Sequence, residues 1–267
     1  MIKAQADIAI IGGTGVNDIS LLTDIQRIEL ETPYGKPSDA IVIGEFNHRK
    51  IAFLPRHGKN HSYAPHKINY RANIYALKQL GVKRILAACA VGSLQPEYKP
   101  GELVFVDQFI DWTKLRINTF YEEENVYHVS LAEPVCKELR QLGIKEAEQM
   151  GLAHHQVGTY ICIPGPRYST RAESIFFKDV LKVQVVGMTM ATECTLAREL
   201  EMCYMPIACV TDYDAWTNNL VSAKEVREVM QANVLNVKEL IFKMLAKIPN
   251  EQTDQCICWH ALQDAKQ

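Results

Sequence analysis

The sequence predicts an α/β protein that forms a single domain. Short apolar runs rich in β-branched residues alternate with segments of helical periodicity, which is typical of βαβ units and a largely parallel sheet. The 267 residues contain no internal repeat, low-complexity stretch or interdomain linker, so one domain over residues 1–267 is the simpler interpretation. The residues after Pro249 are polar, which predicts an irregular tail from about 249 onward.

Strands are predicted where a short apolar run is bounded by turn-forming residues. In chain order these runs are residues 7–11, 40–46, 50–54, 84–91, 103–109, 157–163, 183–188 and 204–210. Helices are predicted over residues 68–80, 129–150, 170–181, 191–202 and 223–248. The last helix is the clearest, because its apolar residues keep the three-to-four spacing of one buried face.

Composition and charge argue against several classes of protein. The net charge is −2 and no basic cluster is present, whereas a nucleic-acid partner would require clustered Lys and Arg for its phosphates. No apolar run reaches the roughly 20 residues of a membrane span, and residues 1–7 lack the features of a signal peptide. Most of the cysteines lie inside apolar runs, which is typical of reduced core thiols and predicts a cytoplasmic location.

Several predicted strands end in small, hydroxylated or basic residues. Ligands bind outside the carboxyl ends of strands in open α/β sheets, so we expect these ends to converge on one site. In the first of them, residues 12–15, glycines would let backbone N–H groups approach an anion, and Thr14 adds a hydroxyl donor. The segment lacks both the dinucleotide-binding spacing and the lysine of a P-loop, so a plain tight turn fits it equally well.

Arg56 and His57 directly follow an apolar strand. An arginine fork beside a histidine suits a phosphate group, although an exposed basic turn has the same pattern. His57 and His61 are four residues apart, yet no Cys, Asp or Glu at ligand spacing completes a metal set. We therefore expect no metal site there.

Two further strand ends are compatible with a ligand or with packing. Residues 89–93, which include Ala90, form a sharp turn after small residues, and close packing against a helix is the alternative. Residues 187–193 pass from a strand to a helix, whose N-terminus would accept an anion beside Thr189. Thr189 would equally serve as a helix cap, with Glu193 in the favourable first turn.

Asp212 and Asp214 follow the apolar strand predicted at 204–210 and lie beside aromatic residues. A partly buried Asp tends to have a raised pKa, and it can then exchange a proton with a ring nitrogen or an exocyclic amine. A solvated turn or a helix cap is the structural alternative.

Eight collinear motifs extend over nearly the whole chain. They are IGGTG at 11–15, LPRHGKNH at 54–61, AVGSL at 90–94, GELVFVDQFID at 101–111, AEP at 132–134, PGPRYSTRAES at 164–174, GMT at 187–189 and TDYDAW at 211–216. Together they resemble the methylthioadenosine/purine nucleoside phosphorylase family, specifically its trimeric methylthioadenosine phosphorylase branch. The resemblance implies one α/β domain with a mixed, twisted central sheet flanked by helices, assembled as a homotrimer or a dimer of trimers.

The resemblance also implies roles for individual residues. The implied phosphate ligands are Thr14, Arg56, His57, the backbone near Ala90, and Thr189; the implied ribose and purine contacts are Met188, Tyr168, Asp212 and Asp214. His128 resembles the position that reaches the 5′ end of a neighbouring subunit's substrate. Val221, Val226 and Leu262 would form an apolar 5′ pocket, although core packing explains Val226 at least as well.

The implied reaction is phosphorolysis of a purine nucleoside, with inorganic phosphate as co-substrate and no metal or organic cofactor. Asp212 is the expected general acid at purine N7. The Asp pair indicates a 6-aminopurine such as methylthioadenosine, because a carboxylate accepts from an amine but repels a 6-carbonyl oxygen. The alternatives are a phosphorylase of 6-oxopurine nucleosides or methylthioinosine, a hydrolase, and a catalytically inactive nucleotide-binding protein.

Three features depart from the family pattern or stand apart from it. Cys89 occupies a position where relatives usually carry a hydroxyl or amide, so the backbone is expected to bind phosphate there. Trp112 replaces a more polar residue. Cys256 and Cys258 are similar to a paired-cysteine tail of some relatives; a disulfide between positions two apart would be strained, so free thiols are favoured, with a redox-sensitive tail as a hypothesis.

Overall fold

Strands and helices alternate along the chain as the apolar pattern predicts. The computed structural model describes residues 5–13, 21–123, 125–251 and 253–267. The strands are β1 (Ile8–Gly12), β2 (Thr23–Ile28), β3 (Ile41–Phe46), β4 (Arg49–Pro55), β5 (Arg84–Ser93), β6 (Leu103–Val104), β7 (Gln108–Asp111), β8 (His154–His155), β9 (Thr159–Cys162), β10 (Val185–Gly187) and β11 (Cys203–Asp212). The helices are α1 (Tyr70–Gln79), α2 (Lys137–Gln149), α3 (Arg171–Ile175), α4 (Met190–Glu199) and α5 (Ala223–Lys247).

In the described part of the chain, the strands form one sheet in the order β2-β3-β4-β1-β5-β10-β9-β7, with β11 paired to β5 and with β6 and β8 beyond β11. β1 is parallel to β4 and β5, and β11 is parallel to β5. β3 is antiparallel to β2 and β4, and the end of β5 is antiparallel to β10. The sheet is therefore mixed, as the family resemblance implies, rather than largely parallel as the alternation of elements alone indicated.

The two long strands β5 and β11 lie at the centre of the protein. All residues of β11 are buried, and Ala90 is the only residue of β5 that is not. A strand covered on both faces consists of an almost continuous apolar run, which is why both strands were predicted correctly. Most buried apolar side chains of the described residues form one cluster around these strands, and a small second cluster surrounds Ile161 and Phe177.

Some predicted boundaries were wrong for identifiable reasons. The run predicted as one strand at 103–109 forms two strands, because β6 pairs with β11 whereas β7 pairs with β9. The helix predicted over 129–150 begins only at Lys137, consistent with Pro134 disfavouring helical geometry in the residue before it. β2 was not predicted at all, since its side chains are exposed or half-buried and mostly polar.

The chain after α5 is irregular apart from a 3-10 turn at Ile257–His260. It returns to the body of the protein, where the backbone N–H of His128 donates to the Ala265 carbonyl at 2.8 Å and Tyr127 forms a β-bridge with Lys266. Within the described residues, no helix combines the length and the apolar character that crossing a membrane requires.

Candidate active site

A cavity of about 500 Å³ lies where the carboxyl ends of β4, β5 and β11 meet the end of β10. The parallel pairing of β4, β1, β5 and β11 brings their carboxyl ends to one edge of the sheet, and β10 closes that edge from the other direction. The predicted site residues that line this cavity are Arg56, His57, Ala90, Tyr168, Met188, Thr189, Asp212, Asp214 and Val226. The convergence of strand ends expected from the sequence is therefore observed.

Arg56 is almost completely buried at one end of the cavity and is held by three hydrogen bonds. Its Nε and Nη2 donate to the two carboxylate oxygens of Glu193, at 2.5 and 3.0 Å, and its Nη1 donates to the Ala88 carbonyl at 2.8 Å. Burial alone would lower the pKa of Arg56, but the Glu193 carboxylate raises it above its ordinary value. A guanidinium has five N–H groups, so one on Nη1 and one on Nη2 remain for a ligand.

Glu193 was missed as a site residue by the sequence analysis. The residue lies in the first turn of α4, where a glutamate is commonly explained by the helix dipole. In the structure it is buried and also accepts a hydrogen bond of 2.7 Å from the Tyr204 hydroxyl. Because Glu193 balances the charge of Arg56, the pair presents directed N–H groups to the cavity rather than an unbalanced positive charge.

His57 is a neutral ring at neutral pH. Burial lowers its pKa to about 3, with a further contribution from Arg56. Its Nδ1 lies 2.9 Å from the Tyr63 carbonyl, and since a carbonyl only accepts, Nδ1 carries the hydrogen and Nε2 is left as an acceptor. The ring stacks on His61 with centroids 3.9 Å apart, which fixes its plane beside Arg56.

Thr189 and Cys89 have different orientations at the same end of the cavity. Thr189 occupies the N-cap position of α4 but makes no capping hydrogen bond with its side chain, so its hydroxyl is available to a ligand. The alternative of a helix cap is thus not supported. The Cys89 thiol donates to the Ile207 carbonyl of β11 at 3.8 Å, and burial raises its pKa to about 12. The thiol is therefore committed to the sheet, which leaves the backbone near Ala90 to face the cavity.

Asp212 lies at the other end of the cavity, at the last position of β11, with a raised pKa. Burial raises the pKa of its carboxyl to about 6, although hydrogen bonds from Thr211 and from the Asp214 backbone oppose the shift. The Thr211 hydroxyl lies 2.6 Å from Asp212 Oδ1 and 3.1 Å from the Val91 carbonyl. A hydroxyl has one hydrogen, so Thr211 donates either to Asp212 Oδ1 or to the Val91 carbonyl.

Asp214 lines the same cavity as Asp212, although β11 ends at Asp212. The Asp214 backbone N–H donates to Asp212 Oδ2 at 3.0 Å, and a 3-10 turn begins at Asp214. Burial raises the pKa of the Asp214 carboxyl. The buried hydroxyls of Ser169 and Ser174 lie against this carboxyl and oppose the rise in its pKa. Of these three residues, Asp214 lines the cavity.

Gly92 makes the close approach of the two aspartates possible. A Cβ at this position would lie 3.0 Å from Asp212 Oδ2, 3.2 Å from Asp214 Cβ and 3.2 Å from Val186 Cγ1. Any larger residue would push the carboxyl of Asp212 away from its present position. The glycine that the sequence analysis assigned to a sharp turn is thus required by packing inside the site.

Met188 and Tyr168 also line the cavity. Met188 is fixed from below by Gly165, whose φ is +64° and where a Cβ would come within 2.6 Å of Met188 Sδ. Burial raises the pKa of the Tyr168 hydroxyl, and the nearby Asp212 carboxylate raises it further. A thioether and an aromatic face are suitable surfaces for a sugar and a heterocyclic ring, respectively.

Three predicted residues of the described part of the chain do not line this cavity, and a fourth cannot be placed. Thr14 lies outside the described residues. Val221 lines a neighbouring pocket together with Tyr168, so a ligand would reach it only past that ring. His128 and Leu262 lie near the C-terminal tail: the His128 N–H binds the Ala265 carbonyl, and the Leu262 N–H donates to Glu201 at 3.2 Å. The expected apolar 5′ pocket is thus represented in this chain by Val226 alone.

The family described as the phosphorylase superfamily matches residues 7–246 of this chain. With nearly the whole chain matched, and with a buried arginine and a buried aspartate facing one cavity, the chain belongs to this superfamily. Two relatives that match over nearly their full length carry the same name. A protein called S-methyl-5′-thioadenosine phosphorylase from Hyperthermus butylicus is 50% identical over 264 residues, which are 98% of this chain and 96% of the relative. A protein of the same name from Nitrosopumilus maritimus is 46% identical over 99% of each chain.

Solved structures agree with this assignment. A methylthioadenosine phosphorylase from an Antarctic soil metagenomic library superposes with a TM-score of 0.92 and 43% identity, over 99% of this chain and 93% of the other. A methylthioadenosine phosphorylase from Schistosoma mansoni, solved in complex with adenine, gives a TM-score of 0.93 at 36% identity, over 98% and 99% of the two chains. The family and the fold predicted from the motifs are confirmed.

Proposed function

We propose that this protein splits S-methyl-5′-thioadenosine with inorganic phosphate, forming adenine and 5-methylthioribose 1-phosphate. The observation that carries the proposal is the cavity itself, which joins the N–H donors of Arg56 at one end to the protonatable carboxyl of Asp212 at the other. The relatives' name supports the choice of substrate. The alternative of a hydrolase gains no support, because water as the nucleophile would have no use for a site of this kind around Arg56.

Phosphate is bound and oriented at the Arg56 end. The two remaining N–H groups of Arg56, the Thr189 hydroxyl and the backbone near Ala90 donate to its oxygens. His57 Nε2 accepts a hydrogen bond from the P–OH group of a monoanionic or dianionic phosphate. Holding phosphate in line with the anomeric carbon replaces a bimolecular encounter by a reaction within one complex. The bound phosphate also stabilises the positive charge that develops on the ribosyl group.

The leaving adenine is handled at the Asp212 end. A purine departs easily only when N7 is protonated or strongly hydrogen-bonded, and Asp212 with its raised pKa donates that proton. Asp214, which the buried hydroxyls of Ser169 and Ser174 hold from behind, supplies a further polar contact to the base edge. Tyr168 packs on the ring face, and Met188 packs on the sugar. The oxygens of the Asp pair accept a hydrogen bond from an exocyclic amine but repel a 6-carbonyl oxygen, which favours a 6-aminopurine over a 6-oxopurine.

The remaining expectations extend the same proposal. The chain acts in the cytoplasm as a homotrimer or a dimer of trimers, and the reaction requires no metal or organic cofactor. His128 and Leu262 then complete the 5′ pocket of a neighbouring subunit, which accounts for their distance from the cavity of their own chain. Supply of adenine and of a methylthio sugar phosphate places the reaction in purine and methionine salvage.

A product assay tests the proposal directly. Purified protein is incubated with methylthioadenosine, adenosine, inosine or methylthioinosine, each with and without phosphate, and the released base is quantified. We expect adenine release from methylthioadenosine that depends on phosphate and is matched by an equal amount of sugar phosphate. Base release that is independent of phosphate would identify a hydrolase, and preference for inosine or methylthioinosine would contradict the assignment of the Asp pair. Inactivity on all four nucleosides would reject the proposal.

A further inference from the structure

A cluster of four cysteines lies outside the cavity and has no role in the proposed reaction. The sulfurs of Cys136, Cys203, Cys256 and Cys258 all lie within 4.8 Å of one another, and all four residues are buried. Cys256 Sγ is 3.5 Å from Cys203 Sγ and 3.9 Å from Cys136 Sγ. We propose that these four side chains bind one zinc ion, which fastens the C-terminal tail to the core of the protein.

The geometry of the cluster fits a tetrahedral thiolate site. Zinc–sulfur bonds of about 2.3 Å place the sulfurs of a tetrahedral site about 3.8 Å apart. The two separations above bracket that value. A covalent disulfide requires a sulfur–sulfur distance of about 2.05 Å, and no disulfide joins any of the eight cysteines, all of which lie in the described part of the chain. Four soft sulfur ligands in a closed, buried arrangement favour zinc over magnesium or calcium.

The surroundings of the cluster compensate a negative charge. Four thiolates around a divalent ion carry two negative charges in excess, and binding releases the thiol protons to solvent. Arg198, which is buried, donates from Nη2 to Cys258 Sγ at 3.8 Å. Arg84 lies directly opposite Cys203 in the pairing of β5 with β11, so both side chains lie on the same face of the sheet.

Arg84 is the second observation that points to an anionic group here. It is only 2% exposed, and its two terminal guanidinium nitrogens are buried without a hydrogen-bond partner among the described residues. A buried cation of this kind is costly unless a negative charge lies nearby. Uncharged thiols would not supply that charge, whereas a zinc tetrathiolate would.

The ligands come from three separate elements. Cys136 is the N-cap residue of α2, Cys203 is the first residue of β11, and Cys256 and Cys258 flank the beginning of the 3-10 turn in the tail. A surface cavity lined by both tail cysteines gives an ion access to the cluster from solvent. None of the four cysteines lines the candidate active site, so the ion would be structural. The expectation that the reaction itself uses no metal is unchanged.

Metal analysis of the purified full-length protein, prepared without chelator, tests the proposal. We expect about one zinc per chain by mass spectrometry, as in closed structural sites with four sulfur ligands. The Cys256→Ser variant should retain less than about one tenth of this zinc, because a three-thiolate remnant loses both affinity and closure. The Cys209→Ser variant is the matched control: Cys209 is equally buried in β11 but is not part of the cluster, so it should keep its zinc.

Two further readouts separate the proposal from the alternatives. Cobalt replacing zinc should give the intense visible absorption of tetrahedral thiolate coordination in the wild type and in Cys209→Ser, but not in Cys256→Ser. Removing zinc with a chelator should make the chain between α5 and Cys256 sensitive to protease, and added zinc should restore resistance.

Thiol counting in denaturant without reductant excludes the remaining explanation. All eight cysteines should react once zinc is chelated. A protein without zinc in which four thiols react only after reduction would overturn the proposal in favour of two disulfides. A protein that has eight reactive thiols yet takes up no added zinc would also overturn it, as would equal zinc content in Cys256→Ser and the wild type. Iron in place of zinc would contradict the choice of ion.

Discussion

At the scale of single residues, two buried charged groups define the chemistry of the cavity. Arg56 keeps its charge because Glu193 lies against it, and Asp212 tends to keep its proton because it is buried. Neither property is visible in the sequence, where Arg56 had the same pattern as an exposed basic turn. The motifs singled out both residues, but burial and the Glu193 contact determine their protonation.

Replacing Asp212 by Asn should remove the general acid while keeping the size of the side chain. We expect kcat/KM for methylthioadenosine to fall by about 100-fold or more, the usual contribution of a positioned acid. Activity on inosine should rise relative to that on adenosine, since an amide donates to a 6-carbonyl oxygen. Steady-state kinetics with both nucleosides measures this, with the exposed Asp24→Asn as the control variant. Activity on methylthioadenosine within a few-fold of the wild type would show that Asp212 is not the acid.

The pH dependence should follow the titration of Asp212. Its pKa of about 6 means that the protonated acid is lost as pH rises through 6, so kcat/KM should decline above that pH. His57, with its pKa lowered to about 3, stays neutral over this range and adds no second limb there. A pH profile of kcat/KM measures the decline, which should be absent from Asp212→Asn.

The same shift affects stability with a defined sign. The folded-state pKa of Asp212 lies above its ordinary value of 3.8, so its contribution to folding is full below about pH 3.8 and is lost as pH rises through about 6. A wild type and an Asp212→Asn variant should therefore converge in stability at acid pH. Their stabilities should separate as pH rises from 3.8 to about 6 and stay apart above that pH, in favour of the variant. Denaturant unfolding at several pH values measures this, and a difference that does not vary with pH would contradict the raised pKa.

At the scale of elements, α4 links the strand ends to each other. Its first turn supplies Thr189 to the cavity and Glu193 to Arg56, while the Tyr204 hydroxyl of β11 secures the same carboxylate. The helix therefore connects two strands of the site. One is β4, which Arg56 directly follows, and the other is β11, which ends in Asp212. Loss of this buried contact should affect both folding and phosphate binding.

Glu193→Gln tests that coupling. Removing one partner of a buried ion pair typically lowers the free energy of unfolding by about 3–5 kcal/mol, because the other charge is left uncompensated. We expect a loss of this order, together with a higher KM for phosphate, measured by denaturant unfolding and by kinetics at saturating nucleoside. The control is Glu228→Gln on α5, which breaks an exposed pair with Lys224 of 3.8 Å and should cost under about 1 kcal/mol. Equal effects of the two variants would contradict a special role for Glu193.

The strands that the sequence predicted most clearly have the same environment on both faces. β5 and β11 are buried on both faces, so their apolar runs identify them, whereas exposed β2 has no such run. In the site, Arg56 and Asp212 were recognised as candidates because each lies in a contiguous sequence motif. Glu193 escaped because its partner is 137 positions away in the chain, and a buried ion pair leaves no local pattern.

At the scale of the whole molecule, the proposed roles of His128 and Leu262 imply a second copy of the chain. Neither residue lines the cavity of its own chain, so under the proposed function both would act only on the site of another subunit. The four-cysteine cluster holds one part of the C-terminal tail, and the backbone contacts of Tyr127 and His128 hold its end.

Coexpression of two inactive variants tests the shared site. Asp212→Asn removes a group within its own chain, whereas His128→Ala would remove a group from the neighbour's site. In trimers assembled at random from equal amounts of both, about one site in four combines an intact Asp212 with a neighbour's intact His128. Activity should recover to about that fraction on coexpression, but not on mixing the separately purified, non-exchanging proteins. No recovery, or full activity of His128→Ala alone, would contradict a shared site.

The near neutrality of the Arg56–Glu193 pair has a consequence for how the protein responds to its medium. A site that attracted phosphate through an unbalanced field would lose affinity as added ions screened that field over a Debye length of about 10 Å. Here the attraction comes from short contacts inside a buried pocket, on a chain whose net charge is −2. Phosphate affinity should therefore vary little with ionic strength when a non-competing salt is added. The phosphate concentration that saturates the protein in a cell would then not depend on the salt content of that cell.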